Sequence, residues 1–395
     1  MVPLWFYIVV ISAFGACIGS FLNVVIYRLP RDKSLVSPPS TCPGCNKLIA
    51  FYDNIPIFSW LILGGKCRNC KMKISPQYIM VEFLTAAFFV AFFLLNFQYG
   101  ENRFRLHELQ GLDAFINGGY VFYIMHITLI ACFIAASVID LKLWIIPLSI
   151  CWFVTAAGFI GSTIGRAIIG STSGDPLIIG FYQVAPFDSA ITAILATGAT
   201  VGLIISLILL AKGIIKRSYP FEESQDENAQ EINYNHRIEM LKEVLFLLPI
   251  IICAFIALIL YQKVPQFCQF WQNFANIPAA KGFFASLWGY FIGCAVVWAT
   301  RILGTLGFGK EAMGLGDVHL MGAAGAVIGP VFVVIAFFVA PFFGLAWAAY
   351  QTFFKKTRQI PYGPFLSLAV FAVMIFHNFF RMYIATVYFM RETSF

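Results

Sequence analysis

Residues 119–142 read GYVFYIMHITLIACFIAASVIDLK, and this stretch decides what solvent the chain is built for. From 119 to 139 there is no Asp, Glu, Lys or Arg. A helix that crosses a bilayer needs roughly 20 mostly apolar residues, and this run supplies them. It stops at Ser137-Val138-Ile139-Asp140, with Lys142 just beyond. Similar runs recur near 4–27, 77–97, 144–164, 189–211, 244–262, 283–303, 318–331, 332–353 and 364–386. The 318–353 stretch reads as one long helix or as two with a short first one, and it is divided here at Gly329-Pro330, where a helix is expected to break.

Composition agrees. Of 395 residues, 60% are hydrophobic, 43 are Phe and only 11% are charged, against about 25% charged in soluble domains. The fold class expected is an all-α polytopic membrane protein with about 8–10 transmembrane helices and a small cytoplasmic zinc-ribbon-like loop. The first run is read as a span, not a signal peptide, because it has no basic leading region and no small-x-small cleavage site.

The net charge of +7 suggests nucleic acid until its distribution is read. Arg28, Arg31, Lys33, Lys47, Lys66, Arg68, Lys71 and Lys73 face only Asp32 and Asp53 in one loop. Cytoplasmic loops carry the excess of Lys and Arg, so this loop is expected inside and the N-terminus outside. Counting spans forward brings Lys142, then Lys212, Lys216 and Arg217, then Arg301 and Lys310, then Lys355, Lys356 and Arg358 to the same side. The expected domains are 1–27, a first transmembrane helix; 28–76, a cytoplasmic cysteine domain; 77–212, helices that carry Asp140; 213–243, a polar cytoplasmic loop; and 244–395, helices that carry Asp317. The polar loop has an acidic stretch at Glu222, Glu223, Asp226 and Glu227, reads as solvated, and shows no catalytic constellation; His236 in it is read as a lone surface histidine.

The first loop contains Cys42-Pro43-Gly44-Cys45 and Cys67-Arg68-Asn69-Cys70, with 21 residues between the pairs. Two residues between cysteines bring both sulfurs to one side of a tight turn, and four thiolates suit tetrahedral zinc. Two disulfides or four incidental cysteines are the plainer readings; a reducing cytosol disfavours the first. Four thiolates leave no open coordination position, so Cys42, Cys45, Cys67 and Cys70 are expected to hold a structural Zn2+ that helps a 49-residue loop fold. The remaining cysteines have no paired spacing and read as small packing residues.

Ionisable groups in membrane spans are costly, which makes Glu82, Asp140 and Asp317 candidates. Taken alone, Asp140 also reads as a helix end at the water interface. Asp317 follows Gly314-Leu315-Gly316, where glycines permit an unwound backbone, and also suits the N-cap of the next helix. As a pair at the cytoplasmic end of their segments they suggest more. Two carboxylates packed together cannot easily both ionise, so one holds a proton and the other does not. Such a pair performs general acid–base hydrolysis without a covalent intermediate. No Ser/His or Cys/His arrangement competes; His126 lies mid-span, and His319 reads as a packing or interfacial residue.

Gly15 to Pro30 (GACIGSFLNVVIYRLP) closely resembles the N-terminal signature of bacterial type IV prepilin peptidases. The same family has the two C-x2-C pairs next and a helix that starts like Ile74-Ser75-Pro76-Gln77-Tyr78 and bears an acid, here Glu82. It has an aspartate before Ile-Pro, here Asp140 before Ile146-Pro147. It has a Gly-x-Gly-Asp block, matched by Glu311 to Asp317 with Leu320 and Gly322, and a late Pro-Tyr-Gly-Pro, matched by residues 361–364. The resemblance implies an aspartic endopeptidase that removes leader peptides from prepilins and pseudopilins, with Asp140 and Asp317 catalytic. It implies a bacterial inner-membrane enzyme, with the bilayer and its substrates as partners and no nucleic acid. It also implies methylation of the new N-terminus from S-adenosylmethionine, with Glu82 the candidate cofactor residue. The chain departs from the pattern in the separation of Asp140 and Asp317, which stand 177 positions apart, an excess resembling an extra pair of helices plus the 213–243 loop. Leu148 stands where an acidic or amide residue is often found. A proton-coupled transporter using the same carboxylates and a scaffold docking through the cysteine loop are the competing classes; the first would show broken helices in two inverted halves, which the sequence does not, and leaves the cysteine loop unexplained, and the second would tolerate loss of both aspartates.

Overall fold

A computed structural model of the chain describes residues 3–98, 105–106, 109–169, 188–219, 235–354, 361–377, 379–380 and 383. The longer helices among them are α1 Leu4–Arg28, α2 Gln77–Phe93, α3 Tyr120–Leu143, α4 Leu148–Ile169, α5 Ser189–Ala211, α6 His236–Lys263, α7 Pro265–Ala275, α8 Pro278–Phe308, α9 Leu315–Phe354 and α10 Gly363–Ile375. Among the described residues, eight helical segments are long and apolar enough to cross a membrane. β structure among the described residues is confined to a two-residue antiparallel pair, Arg105–Leu106 with Leu109–Gln110, and to isolated bridges in the cysteine loop. The chain is an all-α polytopic membrane protein. On α6, Ile251, Phe255 and Ile259 stay exposed, as side chains that face lipid do.

The helices form two compact units. One takes in Met1–Ala157 and Val339–Phe395; the other takes in Tyr182–Phe338 with Gly158–Ser173. In the first, α1 lies along α2 and α3, and α10 lies along α3. Phe133, Leu129, Ile130 and Ile139 of α3 are fully buried. In the second, α5 pairs most extensively with α6, and α8 packs on α5.

Lipid gives helices little hydrophobic reason to associate, so close backbone approach through small residues takes over. Three Gly-x-x-x-Gly pairs do this here. A Cβ at Gly15 would stand 2.8 Å from Ala86 Cα, and one at Gly19 would stand 2.6 Å from Glu82 Cα. Gly198 and Gly202 meet the α6 backbone at Ala254 and Ile250, while Gly289 and Gly293 meet α9 at Gly325 and Met321. This spacing is visible in the sequence, and its role in helix packing becomes plain only in the fold.

The expected spans 318–331 and 332–353 form one 40-residue helix interrupted at Gly329, whose φ of 78° and ψ of 172° are not helical. The break falls where Gly329-Pro330 was expected to make one, but both arms stay helical. α6 starts at His236, eight residues ahead of the expected 244–262 run, so the end of the polar segment is helix. His236 is not lone: its Nδ1 lies 2.8 Å from the Tyr219 hydroxyl. Glu222, Glu223, Asp226 and Glu227 lie outside the described residues, as do Lys355, Lys356 and Arg358.

Candidate functional site

The cysteine loop folds as two turns of matching design. Cys42 N–H donates to Lys47 O and Asn46 N–H to Cys42 O, at 3.0 and 2.8 Å. In the second turn, Cys67 N–H donates to Met72 O at 2.8 Å and Lys71 N–H to Cys67 O at 3.0 Å. Each turn needs a left-handed residue just past its second cysteine, supplied by Asn46 (φ 54°) and Lys71 (φ 59°). The four sulfurs converge to within 4.8 Å of one another, and Cys42 and Cys70 stand 3.6 Å apart. Thiolates about 2.3 Å from a tetrahedral zinc stand about 3.8 Å from each other, so the donor set fits that ion in number, type and spacing. The amides of Cys70 and Asn69 point at the Cys67 thiol and bring it down to about 6. Beside the turns, Arg68 clasps Asp53 with its Nη2 2.6 Å from Oδ1, and this holds the Asp53 carboxyl below its usual range.

Glu82, on α2, is 7% exposed. Its Oε2 accepts the Ile57 amide at 2.7 Å. Ile57 has φ 65° and ψ −56°, and Phe58 N–H donates to Pro56 O at 2.6 Å across it. That is a γ-turn of positive φ, a strained conformation for a β-branched residue. Glu82 therefore ties a strained turn of the cysteine loop to the membrane helices of the same unit.

Asp140, in the last turn of α3, is 6% exposed. Its Oδ2 accepts the Gly363 amide at 3.1 Å, from the first residue of α10. A Cβ at position 363 would lie 2.7 Å from the same oxygen, so only glycine lets the carboxylate sit there. Asp317, 8% exposed, lies in the first turn of α9, where an acid complements the helix dipole. Its amide donates to Gly314 O at 3.2 Å. A Cβ at Gly314 would be 3.6 Å from Asp317 Oδ2. The structure thus joins the four cysteines to one another, Glu82 to Ile57, and Asp140 to Gly363. Asp140 belongs to the first unit and Asp317 to the second.

Two groups were not singled out from the sequence. Gly363 entered only as part of the Pro-Tyr-Gly-Pro block. Arg301 was counted among the cytoplasmic cations, yet it is fully buried between Glu243 and Glu311.

The bacterial peptidase A24 N-terminal domain model matches residues 13–96, which run from α1 through the cysteine turns and α2. The A24 match takes in Cys42, Cys45, Cys67, Cys70 and Glu82. The chain is 40% identical over 135 residues to the prepilin leader peptidase/N-methyltransferase of Myxococcus xanthus, 34% of each chain. It is 39% identical over 145 residues to the type 4 prepilin-like proteins leader peptide-processing enzyme of Escherichia coli, 32% of this chain and 46% of that one. With the prepilin leader peptidase/N-methyltransferase of Pectobacterium carotovorum it shares 32% over 199 residues, 44% of this chain and 63% of that one. The chain therefore spans between a third and just under two thirds of these relatives. Together the A24 domain and these likenesses support the prepilin peptidase family. No solved structure matches the chain significantly.

Proposed function

We propose that the chain is a membrane-embedded aspartic endopeptidase that cleaves leader peptides from type IV prepilins and pseudopilins. The observation that carries this reading is the buried Asp140 carboxylate receiving the Gly363 amide, two motif residues 223 positions apart. Burying a carboxylate is costly even with a backbone donor, and an intramembrane acid is a functional candidate by default. Asp317, also buried and set in the first turn of its helix, is its proposed partner.

In the proposed reaction one carboxylate is ionised and the other protonated. The ionised one takes a proton from water, whose oxygen attacks the scissile carbonyl carbon. The protonated one gives its proton to the carbonyl oxygen. The carbon–nitrogen bond of the resulting gem-diol then breaks: the amine leaves with a proton from the first carboxyl group, and the second carboxylate takes back a proton from a gem-diol hydroxyl, which restores the pair. Asp140 and Asp317 are proposed to lie at the cytoplasmic side of a bacterial inner membrane, in keeping with the basic 28–73 stretch. The substrate's apolar helix would stay in the bilayer, with its basic leader in the cytoplasm.

The proposed division keeps 28–76 as a cysteine domain between 1–27 and 77–212, and 213–243 as a polar segment ahead of 244–395. Cys42, Cys45, Cys67 and Cys70 would hold a structural zinc. The printed names of the relatives include N-methyltransferase, and we extend this to methylation of the new amino terminus, for which S-adenosylmethionine would supply the methyl group. Glu82 has its carboxylate engaged by Ile57, so its part in methyl transfer runs through the turn it holds.

The test is a cleavage assay with the full chain in lipid nanodiscs and a prepilin-like peptide, read by mass spectrometry with and without S-adenosylmethionine. The reading predicts a leader fragment and a mature fragment, the latter one methyl group heavier only when the cofactor is present. An uncut peptide with folded, zinc-loaded protein rejects it.

A further inference from the structure

We propose that Arg301 is a positioning residue: held by Glu243 of α6, it clamps the 309–314 segment that leads into Asp317. This deepens the peptidase reading and rests on it for its effect on catalysis, though the clamp itself is a matter of structure.

The sequence Thr300-Arg301-Ile302-Leu303-Gly304-Thr305 forms the end of α8. The helix stops at Gly309, whose left-handed φ of 63° turns the chain back on itself. The returning strand is then pinned to the last turns of α8. Ala312 N–H donates to Thr305 Oγ1 at 3.1 Å. Glu311 Oε1 lies 2.6 Å from Arg301 Nη1, and the same nitrogen donates to Met313 O. Four residues later comes Asp317. One guanidinium therefore holds both a side chain and a carbonyl of the segment that carries Asp317 into α9.

A fully buried guanidinium persists only with charge partners and hydrogen bonds. Glu243 supplies them from α6. Its two oxygens accept from Arg301 Nε at 2.9 and 3.1 Å. Glu243 is itself fixed by Ser218 Oγ at 2.8 Å and Trp298 Nε1 at 2.9 Å. Tyr219 lies over the guanidinium, with Arg301 Cζ 5.5 Å from the ring centre. The Tyr219 amide donates to Glu239, which is also paired with Lys242. All these groups belong to one unit. Ser218 and Tyr219 after α5, and Glu239 and Glu243 on α6, lie in the long interval between Asp140 and Asp317, and their contacts give them a structural role. Ser218, Tyr219, Glu239 and Glu243 brace the arginine that braces the Asp317 segment.

The test uses the purified full chain in nanodiscs, with hydrogen exchange of peptides covering 309–317 measured beside kcat and KM on a prepilin-like peptide. Glu243→Gln and Arg301→Lys break the clamp at its buried end, and Glu311→Gln breaks it at an end whose side chain is 45% exposed, where the fold is at little risk. The clamp predicts about tenfold faster exchange at the Ala312 and Asp317 amides, with exchange in α5 unchanged. It predicts about tenfold lower kcat with KM within about twofold, the pattern of misplaced catalytic groups rather than lost binding. The Glu243→Gln/Glu311→Gln double variant should lose less than the product of the single losses, because both act through Arg301. Unchanged exchange at 309–317 in Glu243→Gln and Glu311→Gln overturns the clamp. Faster exchange with undiminished kcat overturns its positioning role. A wild-type chain that never cuts the peptide rejects the peptidase reading instead, and the exchange data still decide the clamp.

Discussion

The Gly363 amide donates to Asp140 Oδ2 at 3.1 Å, and the missing side chain at 363 is what leaves room for that carboxylate. The Pro-Tyr-Gly-Pro block is thus tied to the aspartate of α3 by a hydrogen bond and by steric exclusion at once.

Gly363→Ala should therefore displace the Asp140 carboxylate, since a Cβ would come within 2.7 Å of it. Overpacking of this kind costs about 1–3 kcal/mol, and a shift of about 1 Å in a reacting group can cost about a hundredfold in rate. The expected result is a membrane-inserted, helical protein with cleavage down by at least about tenfold. Activity within error of wild type would mean that Asp140 does not need this position.

The four thiols predict one zinc per chain, measured by elemental analysis of protein purified without added metal. Cys42→Ser with Cys67→Ser should remove it. In small metal-bound domains the binding free energy is folding free energy. A strong chelator should accordingly expose the 33–73 segment to protease while the helical circular dichroism is largely kept. Retention of full zinc by the double variant would relocate the metal.

Glu82→Ala should loosen the turn at Ile57, which loses the acceptor for its amide. Ile57→Gly should do the reverse, because glycine adopts positive φ without the strain carried by a β-branched side chain. Relief of about 1–3 kcal/mol of strain outweighs the roughly 0.5–1 kcal/mol that glycine costs in chain entropy, so Ile57→Gly should gain about 1 kcal/mol in thermal stability and partly rescue Glu82→Ala when the two are combined. If Ile57→Gly destabilises the chain, Ile57 is held by its side chain and the turn is not a store of strain.

Gly19→Val should force α1 away from α2, as the first added carbon would already sit 2.6 Å from Glu82 Cα. Packing between membrane helices depends on such small residues. A loss of about 1–3 kcal/mol, read as an earlier thermal transition in detergent, is the expected outcome. An unchanged transition would mean that α1 and α2 are not close packed through this face.

Legibility differed by kind of signal. The bilayer as solvent, the run of helices and the cysteine turns were readable because length, polarity and local spacing carry them within short windows. Gly329 broke α9 as expected, but the backbone recovered at once, and only the geometry shows two helical arms in one run. Asp140 and Asp317 stood out as acids beside apolar runs. The Gly363 contact did not, because nothing in a local window links positions 140 and 363. Arg301 was misleading for the same reason: beside an apolar run it looks like a topological cation, and its partners lie 58 residues before it and 10 after it. Glu82 drew attention as a costly acid, and what the fold adds is the strained turn it holds. The Gly-x-x-x-Gly pairs are local signals too, but which helix each one meets depends on the fold.

The most direct measurement is cleavage of a prepilin-like peptide in membranes by wild type, Asp140→Asn and Asp317→Asn, with zinc content and insertion checked in each. Asparagine keeps the shape and removes the acid–base function, so each single change should lower cleavage by at least about a thousandfold, as loss of a member of a cooperating pair does. Normal cleavage by both variants, folded and zinc-loaded, would contradict the account, and the two aspartates would then be structural.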